Sequence, residues 1–246
     1  MRLALFAVGS LIAATVATME AQQSFCADCH FANPGAPARD HLDDWDRSPH
    51  GRNVVGCESC HGGDQTTTEL FLAHRGILSF ADPESPIHRT RLPATCGSCH
   101  TGPFVAFQRS RHFELLETAD PNVPTCITCH GSVAARLPSP RRLEQQCTAC
   151  HGDDGVAPRP GFAAEGRLML EGLYEVRGLY DSARTLVEQL PEGLRRTELE
   201  SDLQQAEVPL IEAARDGHAF VFDALEERLD TARNRLGALF ARLLNP

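Results

Sequence analysis

The chain has 246 residues, a formal net charge of −10, 10 Cys, 11 His, 2 Tyr and 1 Trp. That length allows one domain or two. The acidic balance excludes the basic footprint of a nucleic-acid binder and suits salt-sensitive docking to basic patches on protein partners; ten thiols require disulfides, a metal or a covalent cofactor.

Met1 and Arg2 precede an apolar run from Leu3 to Ala17, LALFAVGSLIAATVA, that ends in small residues. This is the pattern of a secretory signal peptide, expected over residues 1–21, with cleavage after Ala17 or Ala21. The alternative is an uncleaved membrane anchor, but spanning takes about 20 apolar residues and the run is shorter. The mature chain is therefore expected to be periplasmic or otherwise exported, where disulfides are permitted.

Cysteine spacing separates the remaining options. The pairs are Cys26 and Cys29, Cys57 and Cys60, Cys96 and Cys99, Cys126 and Cys129, and Cys147 and Cys150, each with two residues between its members. Histidine follows every second cysteine: His30, His61, His100, His130 and His151. C-x-x-C-H is a c-type haem attachment signature: two thiols at that spacing reach the two vinyl groups of one porphyrin, and the adjacent imidazole lies under the iron as proximal ligand. Zinc has no need of histidine directly after the second cysteine, thioredoxin-like pairs belong to a βαβ setting that is absent, and a disulfide scaffold would vary its spacings. Five haem c groups are expected, bound over a domain at 22–159. This stretch is rich in Pro, Gly and short polar segments, so the porphyrins themselves must supply most of its core. It reads as short helices around the motifs, joined by irregular loops with almost no sheet, and it should not fold without its cofactor.

Six histidines lie outside the motifs: His41, His50, His74, His88, His112 and His218. Five irons need five distal ligands, and histidine is a common axial ligand. His50 and His112 share an S-x-H pattern, Ser48-Pro49-His50 and Ser110-Arg111-His112, each upstream of a motif; His74 is flanked by apolar residues in LFLAHRG. These three come first as distal candidates, followed by His218. His41 sits in the acidic run HLDDWD and reads as solvated, and His88 falls in a loop-like stretch between Pro86 and Pro93.

After Pro160 cysteine disappears and Leu, Ala, Glu and Arg dominate. Leu170, Leu173, Val176, Leu179, Ala183, Leu186 and Leu190 recur at helical steps, and Pro191 and Gly193 end the run. A second run from Leu194, disturbed at Pro209, continues to Leu244 with Leu225, Leu229, Ala232, Leu236 and Leu243 on one stripe. Counting back from Leu225 reaches Phe222 and then His218, which should face inward. The expected fold is thus mainly α with much irregular loop, a multihaem cytochrome c fold, plus a C-terminal long-helix hairpin in a domain at 160–246. The C-terminal helices also offer a surface for homo-oligomer contacts.

The five motifs, the two S-x-H elements, Cys60-His61-Gly62-Gly63, Ala73-His74 and the His218 helix together resemble the group of multihaem cytochromes c that includes cytochrome c554, the hydroxylamine-oxidoreductase-like proteins and the pentahaem nitrite reductases. The resemblance implies close-packed, mostly bis-histidine haems and long C-terminal helices. It departs from the family's enzymes. Pentahaem nitrite reductases usually carry a lysine ligand at the catalytic haem, whereas all 23 basic residues here are arginine. Hydroxylamine oxidoreductases use a cross-linked tyrosine, whereas Tyr174 and Tyr180 lie on a helical stripe. The expected role is an electron relay with no catalytic residue. Its partners would be redox proteins such as a membrane quinol-oxidising complex or another cytochrome. One alternative is an oxidoreductase acting on a small nitrogen or sulfur compound at a five-coordinate haem. Another is a subunit of a conducting filament.

Overall fold

A computed structural model describes residues 24–33, 38–118 and 120–245; the expected signal peptide at 1–21 lies outside the described residues. Among those residues the chain is built of helices, turns and irregular segments, with no strand. Nine short helices come first: α1 (Phe25–Ala32), α2 (Arg39–Asp46), α3 (Pro49–Arg52), α4 (Glu58–His61), α5 (Leu70–Ala73), α6 (Leu92–Gly97), α7 (Thr101–Phe107), α8 (Arg111–Glu117) and α9 (Cys126–His130). Then come α10 (Pro140–His151) and three long helices, α11 (Phe162–Glu188), α12 (Leu194–Asp216) and α13 (Phe222–Leu244).

Local chemistry sets the short helices. Ser48, Ser110 and Ser139 are N-caps whose hydroxyls accept from the backbone N–H groups of Gly51 (3.1 Å), Phe113 (3.2 Å) and Arg142 (3.3 Å), each satisfying one orphan donor of a helix start. Gly62 and Gly131 stop α4 and α9 directly after their motif histidines, at φ +75° and +76°. Glycine reaches that left-handed region without steric cost. Arg89 pins the approach to the fourth motif by donating to the carbonyls of Asp120 (2.6 Å) and Val123 (2.8 Å).

The C-terminal helices form a three-helix bundle, not a hairpin. Its core joins Val176, Tyr180, Ala183 and Val187 of α11 to Leu199, Leu203, Ala206, Leu210 and Ala213 of α12 and Leu225, Leu229, Ala232, Leu236 and Leu239 of α13. The inner row of α11 is offset from the leucine stripe: Leu179 and Leu186 are exposed, while Tyr180 and Val187 are buried. The chain turns at Gly217–Val221 and not at Pro209. Pro209 sits inside α12, where its missing N–H orphans the carbonyl of Gln205 four residues back. The Arg235 guanidinium of α13 donates to that carbonyl, so the helix runs on. The break itself is a 3-10 turn at Gly217–Ala219 followed by Phe220 in the left-handed region at φ +57°.

Candidate haem-binding site

The motif histidines and the spare histidines meet in pairs. Ring centroids lie 5.8 Å apart for His30 and His74, 6.1 Å for His61 and His41, 5.9 Å for His100 and His50, 6.1 Å for His130 and His218, and 6.0 Å for His151 and His112. Each pair holds one motif histidine and one from elsewhere. The spacing fits one metal ion between two imidazoles, since two metal–nitrogen bonds of about 2 Å each plus the two ring radii account for it. The histidines meet in twos. Among the described residues no group of three or more His, Cys, Asp or Glu is arranged to hold an ion, which the zinc alternative would require.

The structure places the sequence candidates as follows. His50 and His112, the S-x-H histidines, are the second residues of α3 and α8, just behind their capping serines. Neither faces the motif that follows it in sequence: His50 meets the third motif and His112 the fifth. His74, at the end of α5, turns back to the first motif. His218 lies in the 3-10 turn between α12 and α13, not on a helical stripe, and meets the fourth motif. His41 meets the second motif although its neighbours are acidic. Those acids face outward, while Leu42 and Trp45 on the same turn of α2 are buried; that apolar spacing within HLDDWD was the available signal. His88 meets no motif histidine, and its Nδ1 lies 2.8 Å from the Thr90 hydroxyl.

Main-chain carbonyls orient four of the rings. The Nδ1–H groups of His74, His130, His151 and His218 donate to the carbonyls of Leu70 (2.7 Å), Arg136 (3.1 Å), Ala157 (2.8 Å) and Ala214 (3.0 Å). A carbonyl can only accept, so these bonds fix the tautomer and leave Nε2 as the free donor atom for a metal. The carbonyls carry no side-chain signature, and sequence reading had no means to find them. Burial, followed by the neighbouring His151 charge, lowers the His112 pKa to about 4; burial likewise lowers that of His218, followed by His130. Both imidazoles are neutral near pH 7, the form that ligates metal.

None of the ten cysteines is joined to another in a disulfide, and each motif adjoins the next. Burial first, then a thiol of a neighbouring motif, raises the pKa of Cys60 beside Cys96 and that of Cys129, to about 11, beside Cys147. Cys57 is raised in the same way beside Cys26, and a hydrogen bond to Cys126 pushes the Cys96 thiol up. The motifs therefore follow one another in space in chain order. A cavity of 740 Å³ lies between the fourth motif and the bundle, bounded by Cys129, His130 and Cys147 on one side and Leu173, His218 and Phe222 on the other. Its volume is in the range of cofactor sites and its walls are mostly apolar. Tyr174 borders it and donates to the Pro138 carbonyl at 2.8 Å, while Tyr180 is buried in the bundle; both tyrosines have packing roles.

The family described as cytochrome c7 and related cytochrome c matches residues 81–152, and the family described as cytochrome c554 and c-prime matches residues 10–62. Between them they span all five motifs, and neither reaches the three long helices. The C-type polyheme cytochrome OmcC of Geobacter sulfurreducens is 26% identical over 154 residues, 61% of this chain and 17% of the relative. The C-type polyheme cytochrome OmcB of the same organism is 31% identical over 125 residues, 46% of this chain and 14% of the relative. The chain thus spans less than a fifth of the length of either relative. No solved structure matches. Repeated C-x-x-C-H motifs, imidazoles paired at metal-bridging distance and matches to two cytochrome families together identify the chain as a multihaem c-type cytochrome.

Proposed function

We propose that the chain carries five haem c groups, each with two histidine axial ligands, and relays electrons between redox proteins. The observation that carries this reading is the set of five histidine pairs, which uses every motif histidine once. In this reading the thioether cysteines are the ten of the motifs, the proximal ligands are His30, His61, His100, His130 and His151, and the distal ligands in the same order are His74, His41, His50, His218 and His112. Bound haem supplies one-electron chemistry at iron. With haem bound, each histidine pair would occupy both axial positions and leave none open for a substrate, which favours relay over an oxidoreductase. The motif-by-motif adjacency of the thiols supports a continuous path with the first and fifth motifs at its ends. Export follows from covalent haem attachment and the N-terminal pattern. Among the described residues no helix is long and apolar enough to cross a membrane.

Two measurements on the purified holoprotein test this. Pyridine haemochrome absorbance per chain should give five haems. Ferric electron paramagnetic resonance (EPR) and visible spectra should be wholly low-spin and unchanged by cyanide, nitrite or hydroxylamine. A high-spin component that shifts with any of these ligands would refute the relay reading and favour a catalytic haem.

A further inference from the structure

The link between α12 and α13 touches two sites at once. His218 in this link pairs with His130 of the fourth motif. Two residues later, the Phe220 ring stands edge-on to His112, the partner of the fifth-motif His151, with centroids 4.6 Å apart and planes at 86°. Phe220 also borders the cavity between the fourth motif and the bundle, and packs beside Phe107, Leu116 and Val123 of the haem-binding region. Its backbone is left-handed at φ +57°, a region a bulky residue occupies only where the surroundings hold it there.

His112 differs from His74, His130, His151 and His218 in one respect. Its Nδ1 is buried and meets no acceptor, so no carbonyl fixes the plane of its ring. Packing must do so, and the edge-to-face contact with Phe220 is nearer than the ring of His151, 4.6 Å against 6.0 Å between centroids, in a geometry aromatic quadrupoles favour. We propose that Phe220 is a positioning residue that sets the ring plane of His112, so that the bundle's link governs the fourth and fifth haem sites together: the fourth by ligation through His218, the fifth by packing through Phe220. This rests on His112 and His151 being the axial pair of one haem. Its consequence is specific. The angle between two axial imidazole planes fixes the splitting of the iron d orbitals and hence the g-values of a low-spin ferric haem. The planes lie at 43° for His112 and His151 and at 15° for His130 and His218, so the two sites give different signals.

The experiment is EPR of the ferric holoprotein as wild type and as Phe220→Leu, Phe220→Gly, Phe220→Tyr and His112→Gly. Phe220→Gly matches the left-handed backbone, so the ring can be removed even where leucine prevents folding. His112→Gly assigns the fifth-site component by abolishing it; if no component is lost, the axial pairing itself is wrong. Given that assignment, Phe220→Leu and Phe220→Gly should shift or broaden the fifth-site component alone and move its midpoint potential, and Phe220→Tyr should restore both. Spectra of the leucine and glycine variants that superimpose on wild type, or in which all components move together, would overturn the proposal.

Discussion

Replacing His41 and His88 in turn opposes the sequence context to the tertiary structure. Sequence context ranks both histidines last among the distal candidates, yet only His41 stands against a motif histidine, 6.1 Å from His61. His41→Gly should leave α2 in place, because Leu42 and Trp45 are buried beneath it and the Trp45 indole donates to the Val55 carbonyl at 2.9 Å. The variant then removes one of five pairs. One fifth of the low-spin ferric signal should convert to high-spin, at unchanged haem content, because the cysteines of the second motif are untouched. Added imidazole should fill the opened position and return the signal. His88→Gly loses a hydrogen bond to an exposed threonine and should change no haem. The readout is spin quantitation by EPR against haem concentration. A fully low-spin His41→Gly protein, or a His88→Gly protein with high-spin haem, would refute the pairing.

Ser110→Ala removes the α8 cap and also the hydroxyl that donates to the Phe107 carbonyl at 2.6 Å in a buried setting. It should cost roughly 0.5–2 kcal/mol, read as a fall in midpoint temperature of about 2–4 °C per kcal/mol. Leu229→Ala, at the fully enclosed centre of the bundle, should cost roughly 2–5 kcal/mol in denaturant melts while leaving haem content intact. Arg235→Ala leaves the Gln205 carbonyl without its side-chain donor and should cost about 1 kcal/mol, an effect that should disappear once Pro209→Ala restores the backbone N–H. Chain made without haem attachment should keep a protease-resistant fragment near residues 161–245, where the bundle has its own apolar core, and be degraded through residues 24–151, whose buried apolar clusters are small. Uniform degradation, or uniform resistance, would contradict that division.

The C-x-x-C-H motifs were legible because covalent haem chemistry dictates such a spacing along the chain: two thiols must reach one porphyrin and the histidine must sit beneath it. The same holds for helical periodicity after Pro160, since an apolar face repeats every three or four residues whatever it packs against. The S-x-H elements were visible as patterns, and the structure gives the serine its physical role as a helix cap. Sequence reading went astray where the deciding contact was distant. The α11 core row passes through Tyr180 and Val187 instead of Leu179 and Leu186, because which of two adjacent apolar rows is buried depends on where α12 and α13 lie. Pro209 carries the strongest local breaking signal in the second helical run, yet an arginine thirty residues beyond Gln205, whose carbonyl the proline orphans, compensates it.

What the sequence alone determined is the class of cofactor: repeated C-x-x-C-H motifs point to covalent haem c through a spacing confined to five consecutive residues. What only the tertiary structure decided is which histidine faces which motif. His74 turns back to the first motif, His50 and His112 each pass over the next motif, and His218 returns from the far end of the chain to the fourth. Those pairings are long-range contacts set by the packing of helices and loops, and no local spacing encodes them.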